Sequence, residues 1–397
     1  MNKQDRPERP YDVVLFGATG FVGELIAEYL LAHAPQDCRL ALAGRSREKL
    51  ERLRERLAAR DPERAAGLAL ECADAGDPAA MRALAESTHV VASTVGPYIV
   101  HGEQLVAACA EAGTDYTDLT GEPEFVDLMY VRYAERARET GARLVHACGF
   151  DSVPHDLGAY FTVQQLPEGV PLRVDGFVRA WGMISGGTLA SSLTIAGRQR
   201  QALTAARERR RHEQPPAGRR VAAPLGAPRF SKETGTWALP LPTLDPVVVR
   251  RSAEALERYG PDFRYRHYAS VKTLPMALAG PVGLGAVAAV AQVPAARSLL
   301  TRLWAPGRGP DEQQRARGWF QVRFVGEGGG RRVFTEVTGG DPGYGETAKI
   351  LAEASLCLAL DDLPKTSGPV TPAAAMGDAL IRRLTAAGMP FRVRHVR

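Results

Sequence analysis

The sequence predicts an α/β protein that begins with a doubly wound parallel sheet and continues into a second, mixed α/β (α+β) domain. Strand-like and helix-like segments alternate over residues 11–150, beginning with the apolar run YDVVLF at 11–16. Such alternation is typical of parallel strands with helices on both faces. Farther along, residues 318–339 alternate polar and apolar on both sides of a glycine turn, which predicts an antiparallel hairpin.

The first turn, GATGFVG at 17–23, joins the first predicted strand to a helix predicted over 24–31. Its three glycines recur at intervals of three. Glycine lets a phosphate approach the backbone, and the N–H groups at a helix N-terminus attract its charge. We therefore expect the whole turn to hold a nucleotide pyrophosphate: Gly17, Ala18, Thr19, Gly20, Phe21, Val22 and Gly23. The alternative is a tight turn whose glycines only allow close helix–strand packing.

The second strand, predicted over 39–43, is followed by Gly44, Arg45 and Ser46. NAD-selective sites place an acid here for the ribose 2′-hydroxyl, whereas an arginine pairs with a 2′-phosphate. The sequence therefore predicts NADP(H), bound through Arg45 and Ser46, unless Arg45 is only solvated. Asp74, after the third strand, is expected either to contact the adenine amino group or to cap a helix.

The fourth strand is predicted over 89–98, and its carboxyl end lies where cofactor and substrate meet in open parallel sheets. Pro97 is expected to end this strand. Four residues at this end are expected to contact the cofactor: Thr94, Val95, Gly96 and Pro97. A helix over 124–140 and a strand over 143–150 complete the predicted sheet.

Several motifs resemble the saccharopine dehydrogenase-like oxidoreductases, and among them the branch of trans-acting enoyl reductases. The motifs are FGATGFVG, STVGPYIVHGEQLVAACAEAGTDYTDLTGE, GFDSVPHDLG, GDPGYGETAKILAEASLCLAL and TPAAAMGDALIRRL. The resemblance implies a Rossmann-type NADP-binding domain over 1–157, a mixed α/β substrate or dimerisation domain over 158–344, and C-terminal helices over 345–397 that return to the first domain. It also implies reduction of enoyl intermediates in lipid assembly.

Three segments are expected to converge at the nicotinamide end: 96–104, 116–122 and 149–157. Reduction of an enoyl thioester needs a hydrogen-bond donor for the carbonyl and a proton for the α-carbon. The predicted catalytic residues are Tyr98, Ser152 and His155, with His155 as an acid, oriented by Asp118, Glu122 and Asp151. The alternatives are that the carboxylates and Ser152 cap helices, and that His155 only packs. No metal-ligand cluster stands out, so no metal is expected.

Saccharopine carries three carboxylates, and its pocket needs convergent cationic side chains. The three converging segments contain neither Arg nor Lys. The sequence therefore favours an NADPH-dependent oxidoreductase acting on a hydrophobic acyl group, an enoyl thioester on a carrier. Two alternatives stay open, namely a dehydrogenase of a small amino or imino acid and a non-catalytic NADP-binding protein at a lipid surface.

The second domain is predicted to contain a strand over 174–182 and a helix over 189–209 that opens after the SGGT of 185–188. Residues 274–293 contain no charge but include two Pro, three Gly and six Ala. This composition predicts a buried or interfacial helical hairpin, with peripheral membrane contact as the alternative and a membrane span least favoured. Residues 197–220 hold eight Arg, which predicts a solvated face or a contact with an acidic partner.

The composition of the 397 residues, with 45% hydrophobic and 24% charged residues and a net charge of +5, is that of a globular protein. The polar start MNKQDRPERP predicts no signal peptide. We expect a cytoplasmic protein without a nucleic-acid partner. Peripheral contact at the inner face of the membrane and formation of a homodimer are left open. The scattered cysteines fit a reducing compartment and are expected to be buried: Cys38, Cys72, Cys109, Cys148 and Cys357.

Overall fold

The first sheet is a parallel sheet in a computed structural model that describes residues 8–182, 197–214, 216–273, 275 and 309–396. Its strands are β1 (Tyr11–Phe16), β2 (Leu40–Gly44), β3 (Ala69–Cys72), β4 (Thr88–Ser93), β5 (Asp115–Asp118), β6 (Arg143–Val145) and, from the C-terminal part, β14 (Gly368–Pro369). They lie in the order β14-β6-β5-β4-β1-β2-β3 and pair in parallel throughout. The strand order reverses between β1 and β4, and open α/β sheets bind ligands at the carboxyl ends on either side of such a point.

Helices cover both faces of this sheet: α1 (Phe21–His33), α2 (Arg47–Ala58), α3 (Pro62–Ala66), α4 (Pro78–Glu86), α5 (Tyr98–His101), α6 (Glu103–Ala112) and α7 (Pro123–Thr140). Successive side chains of a strand point to opposite faces. Accordingly, Val13 and Leu15 pack into the core cluster with α1 and α2, whereas Val14 and Phe16 pack into the one with α4, α6 and α7. The predicted doubly wound α/β fold is confirmed.

The second sheet is mixed, as predicted. Its strands are β7 (Leu172–Trp181), β8 (Arg220–Ala222), β9 (Arg229–Ser231), β10 (Thr236–Pro240), β11 (Asp262–Val271), β12 (Trp319–Gly328), β13 (Arg331–Gly339) and β15 (Phe391–Val396). The order is β15-β13-β12-β7-β11-β10-β9, with β8 beside β11. Strands β7 and β8 run parallel to β11, and the other pairs are antiparallel. The predicted hairpin is β12–β13, which turns at Gly329 and Gly330.

The helices of this part are α8 (Val153–Gln164), α9 (Gln199–His212), α10 (Asp245–Ala255) and α11 (Glu312–Ala316), with a 3-10 turn at Glu257–Tyr259. Helix α8 packs on β12 and β13, so it belongs to the second sheet although it starts at 153. The predicted helix over 189–209 is described only from residue 197, and its described part runs to His212.

The C-terminal part contains α12 (Gly345–Leu360), α13 (Pro372–Ala375) and α14 (Gly377–Ala386). Helix α12 packs on α1, β1, β4 and β5 and so returns to the first sheet. Strand β14 extends that sheet, whereas β15 joins the edge of the second sheet. The chain after residue 345 therefore contributes to both sheets, and the three predicted domain boundaries stay predictions.

Two strands end earlier than predicted. Strand β4 ends at Ser93, so Pro97 does not end it. Strand β6 ends at Val145, because Ala147 has a φ of 59° and turns the chain out of the sheet. Strand β5 overlaps the segment 116–122, which the sequence did not predict to be a strand.

Among the described helices, none has both the length and the apolarity needed to cross a membrane. The predictions for 185–188 lie outside the described residues, as do those for 274–293 apart from Pro275. Cys109, Cys148 and Cys357 are buried as expected. The prediction is wrong for Cys72, which is exposed because it ends the edge strand β3, and Cys38 is only half-buried.

Candidate cofactor and active site

The three glycines of the turn between β1 and α1 differ in their backbone conformation and in the space around them. Gly17 has a φ of +87°, and a Cβ there would lie 2.5 Å from Thr94 Oγ1. A Cβ on Gly23 would lie 2.2 Å from the Gly17 carbonyl oxygen, so this glycine lets α1 cross the turn closely. Gly20 is exposed, and its Cβ would meet only the Gly17 oxygen at 3.4 Å. Packing therefore accounts for Gly17 and Gly23 but not for Gly20.

The N-terminus of α1 has the donors that a pyrophosphate needs. The first N–H groups of a helix have no acceptor within the helix. At α1 the N-cap residue is Gly20, and no side chain of the described residues caps the helix. The open space at Gly20 and these N–H groups fit the pyrophosphate of a dinucleotide. Ala18 is buried beneath the turn, and Thr19 borders Gly44 at the end of β2.

Arg45 directly follows β2, and its side chain is exposed. Neither neighbour of Arg45 in the sequence is an acid. Ser46 accepts a hydrogen bond from Lys49 N at 3.3 Å and caps α2. Its contact with the cofactor stays a prediction. Asp74 does not cap a helix, because Asp77 caps α4 and Asp74 accepts from Gly76 N at 2.8 Å. The adenine contact of Asp74 therefore remains the open prediction for this side chain.

The loop after β4 lies directly over the glycine turn. Thr94 Oγ1 donates to the Gly17 carbonyl at 3.0 Å, and Gly96 is exposed. The Tyr98 hydroxyl is buried; it donates to Ser93 O at 3.1 Å and accepts from Leu119 N at 3.1 Å. Burial, with nearby Asp118, raises the pKa of Tyr98 well above its ordinary value. A catalytic role for Tyr98 stays a prediction, which this geometry does not favour.

Two buried carboxylates tie the loops after β4, β5 and β6 together. Glu122 accepts from the N–H groups of Tyr98 and Ile99, at 3.0 and 2.9 Å. Asp118 accepts from Ala147 N at 2.8 Å, and its other oxygen lies 2.7 Å from His146 Nδ1. Glu122 occupies the N-cap position of α7 without a capping bond from its side chain. Both carboxylates therefore position loops, and neither caps α7.

The loop after β6 presents Asp151 and Ser152. Asp151 is exposed to solvent, and a Cβ on Gly121 would lie 3.6 Å from its Oδ2. The protein packed around the carboxyl group, together with the charge of Asp245, raises the pKa of Asp151 above its ordinary value, and solvent at the exposed side chain limits this shift. Ser152 is fully buried at the N-cap position of α8, yet its hydroxyl has no partner among the described residues. The alternative that the Ser152 side chain only caps a helix is therefore wrong, because this side chain makes no capping hydrogen bond to α8.

His155 lies in a buried group with Asp245, at the start of α10, and His267, on β11. His155 Nε2 is 3.2 Å from Asp245 Oδ1, and His267 Nε2 is 3.7 Å from Asp245 Oδ2. Burial lowers the pKa of His155 to about 3 and that of His267 to about 4. At neutral pH His155 is therefore a neutral imidazole and not a cationic acid. Sequence reasoning missed this group, because its members are far apart along the chain.

The segment 341–347 lies beside the glycine turn and the loop after β6, at the carboxyl edge of the parallel sheet. The sequence did not predict this position. The rings of Tyr344 and Phe21 lie 5.0 Å apart, edge to face. Thr347 Oγ1 accepts from Phe150 N at 3.2 Å. Asp341 accepts from the N–H groups of Tyr344 and Gly345 at 3.0 and 3.1 Å, which holds the segment in shape. The GDPGYGET motif thus contacts both the glycine turn and the loop after β6.

Two cavities lie away from the predicted catalytic residues. One of about 440 Å³ borders His146 and Ala147 and is lined by arginines, including Arg209 and Arg251. The other, of about 400 Å³, lies against β12 and β13. Neither is lined by Tyr98, Ser152 or His155, so neither defines the substrate position.

Residues 13–145 match the family of the saccharopine dehydrogenase NADP binding domain. The protein is therefore an NADP(H)-dependent oxidoreductase, as the sequence predicted. The chain is 40% identical over 414 residues to a Mycobacterium tuberculosis (strain H37Rv) protein provisionally named a trans-acting enoyl reductase, and the match covers 97% of each chain. It is 36% identical to a trans-acting enoyl reductase of Mycobacterium bovis, over 96% of this chain and 97% of that one. The chain belongs to the trans-acting enoyl reductase family.

A solved structure, the apo histidine-tagged saccharopine dehydrogenase (L-Glu forming) from Saccharomyces cerevisiae, covers 96% of this chain and 99% of its own. The TM-score is 0.55 and the identity 13%, which is a likeness of fold alone.

Replacement of Gly20 by Val should abolish NADPH binding and leave the fold intact. Gly20 has φ −81° and ψ 161°, which valine adopts readily. The branched side chain would fill the space at the helix N-terminus. Loss of two charge-assisted hydrogen bonds lowers affinity by roughly 100-fold or more. Calorimetric titration with NADPH measures the loss. In contrast, Gly23→Ala should lower the melting temperature, because its Cβ overlaps the Gly17 carbonyl. Wild-type affinity in folded Gly20→Val would contradict the assignment.

Wild-type protein should bind NADPH at least about tenfold more tightly than NADH, since a hydrogen bond to a charged group contributes about 1.5–3 kcal/mol. Arg45→Ala should remove most of this preference by weakening NADPH binding alone. The matched control is Arg52→Ala, which removes an exposed arginine of α2 that pairs with Glu48. Fluorescence titration with both cofactors measures the ratio. Equal affinities for NADPH and NADH in the wild type would refute the role of Arg45.

Proposed function

We propose that the protein reduces the C=C bond of an α,β-unsaturated acyl thioester with NADPH, the acyl chain being presented by a carrier. The observation that carries this proposal is the match along the whole chain to proteins named trans-acting enoyl reductases. The fit of the glycine turn and Arg45 to NADPH supports it.

NADPH held at the glycine turn would supply a hydride for the β-carbon, and the α-carbon of the substrate would then need a proton. The chain has to polarise the thioester carbonyl and supply that proton. We assign the carbonyl contact to the Ser152 hydroxyl, which is buried without a partner among the described residues. Asp151 is assigned as the proton donor, because it is the exposed acid of the same loop. We assign Tyr98 a structural role in holding the loop after β4. His155 is assigned to the buried group with Asp245 and His267 and not to catalysis.

A dehydrogenase of saccharopine type is disfavoured by charge. The three converging segments contain neither Arg nor Lys, and Asp151 is an exposed acid of the last segment. A substrate with several carboxylates would find no cationic partner in these segments. An acyl thioester is uncharged at the reacting end and needs no such partner. A non-catalytic role at a lipid surface is distinguished by the absence of turnover in the assay below.

The partners beyond an acyl substrate stay predictions. Peripheral contact at the inner face of a membrane rests on residues 274–293, which lie outside the described residues apart from Pro275. The carrier contact rests on the arginines of 197–220, part of which form α9. A homodimer likewise stays a prediction.

The protein should oxidise NADPH with trans-2-enoyl thioesters of N-acetylcysteamine, and not with 2-keto acids plus ammonia. Asp151→Asn should lower kcat by roughly 100-fold, within the usual 10²–10⁴ contribution of a general acid. NADPH affinity should not change. The control is Asp37→Asn, which alters an exposed acid in the loop before β2. Stopped-flow absorbance follows NADPH, and mass spectrometry identifies the product. Turnover of keto acids in preference to enoyl thioesters would overturn the proposal.

A further inference from the structure

The group formed by His155, Asp245 and His267 has the geometry of a metal site. Each residue offers one ligand atom, and the three atoms all lie within 4.8 Å of one another. Zinc bonds of about 2.0–2.2 Å in a tetrahedron place neighbouring ligand atoms about 3.3–3.6 Å apart. His155 Nε2 lies 3.2 Å from Asp245 Oδ1, and His267 Nε2 lies 3.7 Å from Asp245 Oδ2. Each histidine is therefore close to this spacing from one of the two carboxylate oxygens.

Hydrogen bonds among the described residues leave the group unsatisfied. His267 Nε2 and Asp245 Oδ1 are buried and have no hydrogen-bond partner there. The contact of 3.2 Å between Asp245 Oδ1 and His155 Nε2 is therefore not a hydrogen bond. Such orphaned buried groups destabilise the folded protein. A cation that accepts both lone pairs would remove this cost.

The other ring nitrogen of His267 is held as in known metal-binding histidines. His267 Nδ1 lies 2.8 Å from the Tyr265 hydroxyl. With the proton on Nδ1 and donated to Tyr265, Nε2 carries a lone pair and is free to ligate. Asp245 is held in turn by the Thr243 hydroxyl on Oδ2. Two of the three ligands therefore have a supporting partner.

The charge of the group calls for a cation. Asp245 is buried, and no Arg or Lys of the described residues forms an ion pair with it. The Thr243 hydroxyl that contacts Asp245 carries no charge. A buried carboxylate without a counter-charge is strongly destabilised. A divalent ion held by the three side chains compensates this charge.

We propose that His155, Asp245 and His267 bind a divalent first-row transition-metal ion, with Zn²⁺ as the type. Two imidazoles and one carboxylate suit Zn²⁺, Co²⁺ and Fe²⁺, whereas Mg²⁺ and Ca²⁺ prefer oxygen ligands. Three protein ligands leave a coordination position open, which is typical of catalytic sites and not of structural zinc sites. The site joins α8, α10 and β11 beside the loop that carries Asp151. The inference does not depend on the proposed function.

The test is a titration of tag-free, chelator-treated protein with Co²⁺, followed through the visible d–d bands of the bound ion. One Co²⁺ per chain should bind, Zn²⁺ should displace it, and Mg²⁺ should not. His267→Gln and Asp245→Asn should abolish the bands. Tyr265→Phe, which keeps all three ligands, should weaken binding by about 10–100-fold. His33→Gln, at an exposed histidine on α1, should bind as the wild type does.

Folding is checked by circular dichroism and by thermal melting without metal. The proposal is overturned if the folded wild type binds no stoichiometric Co²⁺ or Zn²⁺ at micromolar concentration. It is equally overturned if folded His267→Gln binds with wild-type affinity. If His267→Gln does not fold, Tyr265→Phe is the deciding variant. Unchanged Co²⁺ affinity in Tyr265→Phe overturns the proposal, because Tyr265 then does not orient His267 as a metal ligand. None of these readouts uses enzymatic turnover, so they are independent of the reductase assay.

Discussion

The close crossing of α1 over the turn after β1 is the constraint on which the rest of the site depends. The helix can approach only because Gly23 has no side chain to meet the Gly17 carbonyl. Gly17 in turn must be glycine, because its backbone is left-handed and Thr94 lies where a Cβ would be. This packing aims the N-terminus of α1 at the carboxyl edge of the sheet. It also fixes the end of β4 against the turn, so that the cofactor position and the loop beyond it are set together.

Buried carboxylates extend this order to the neighbouring loops. Asp118 and Glu122 accept hydrogen bonds from backbone N–H groups of the loops after β6 and β4. Loops held in this way are rigid before any ligand binds, and preorganisation lowers the cost of positioning a substrate. The same set of interactions thus fixes the relative positions of the loops after β4 and β6.

Local patterns in the sequence were sufficient for the elements that local physics determines. The strand at 11–16, the helix that follows it and the hairpin at 318–339 were predicted because apolar periodicity and glycine position specify them. The end of β6 was misjudged, because the hydrogen bond from Ala147 N to Asp118 and the left-handed backbone of Ala147 decide where the chain leaves the sheet. No local pattern contains these contacts.

The candidate site was predictable in part for the same reason. The glycine turn is contiguous, so its role and its family could be predicted directly from the residues. Asp245 and His267 join His155 only through the packing of α10 and β11, and the segment 341–347 joins only through the return of α12. Their proximity is a property of the topology. The buried Tyr98 hydroxyl likewise looked available in the sequence, because its partners are backbone groups at the end of β4 and in the loop after β5.

Hydride transfer from NADPH at the glycine turn to the β-carbon of an enoyl thioester can be followed with the two stereoisomers of C4-deuterated NADPH, in separate single-turnover reactions. Mass spectrometry and NMR of the acyl product then locate the label. We expect deuterium at the β-carbon with one stereoisomer and none with the other, because a fixed site presents one face of the nicotinamide. Reduced product without deuterium from either stereoisomer would refute this route of hydride transfer.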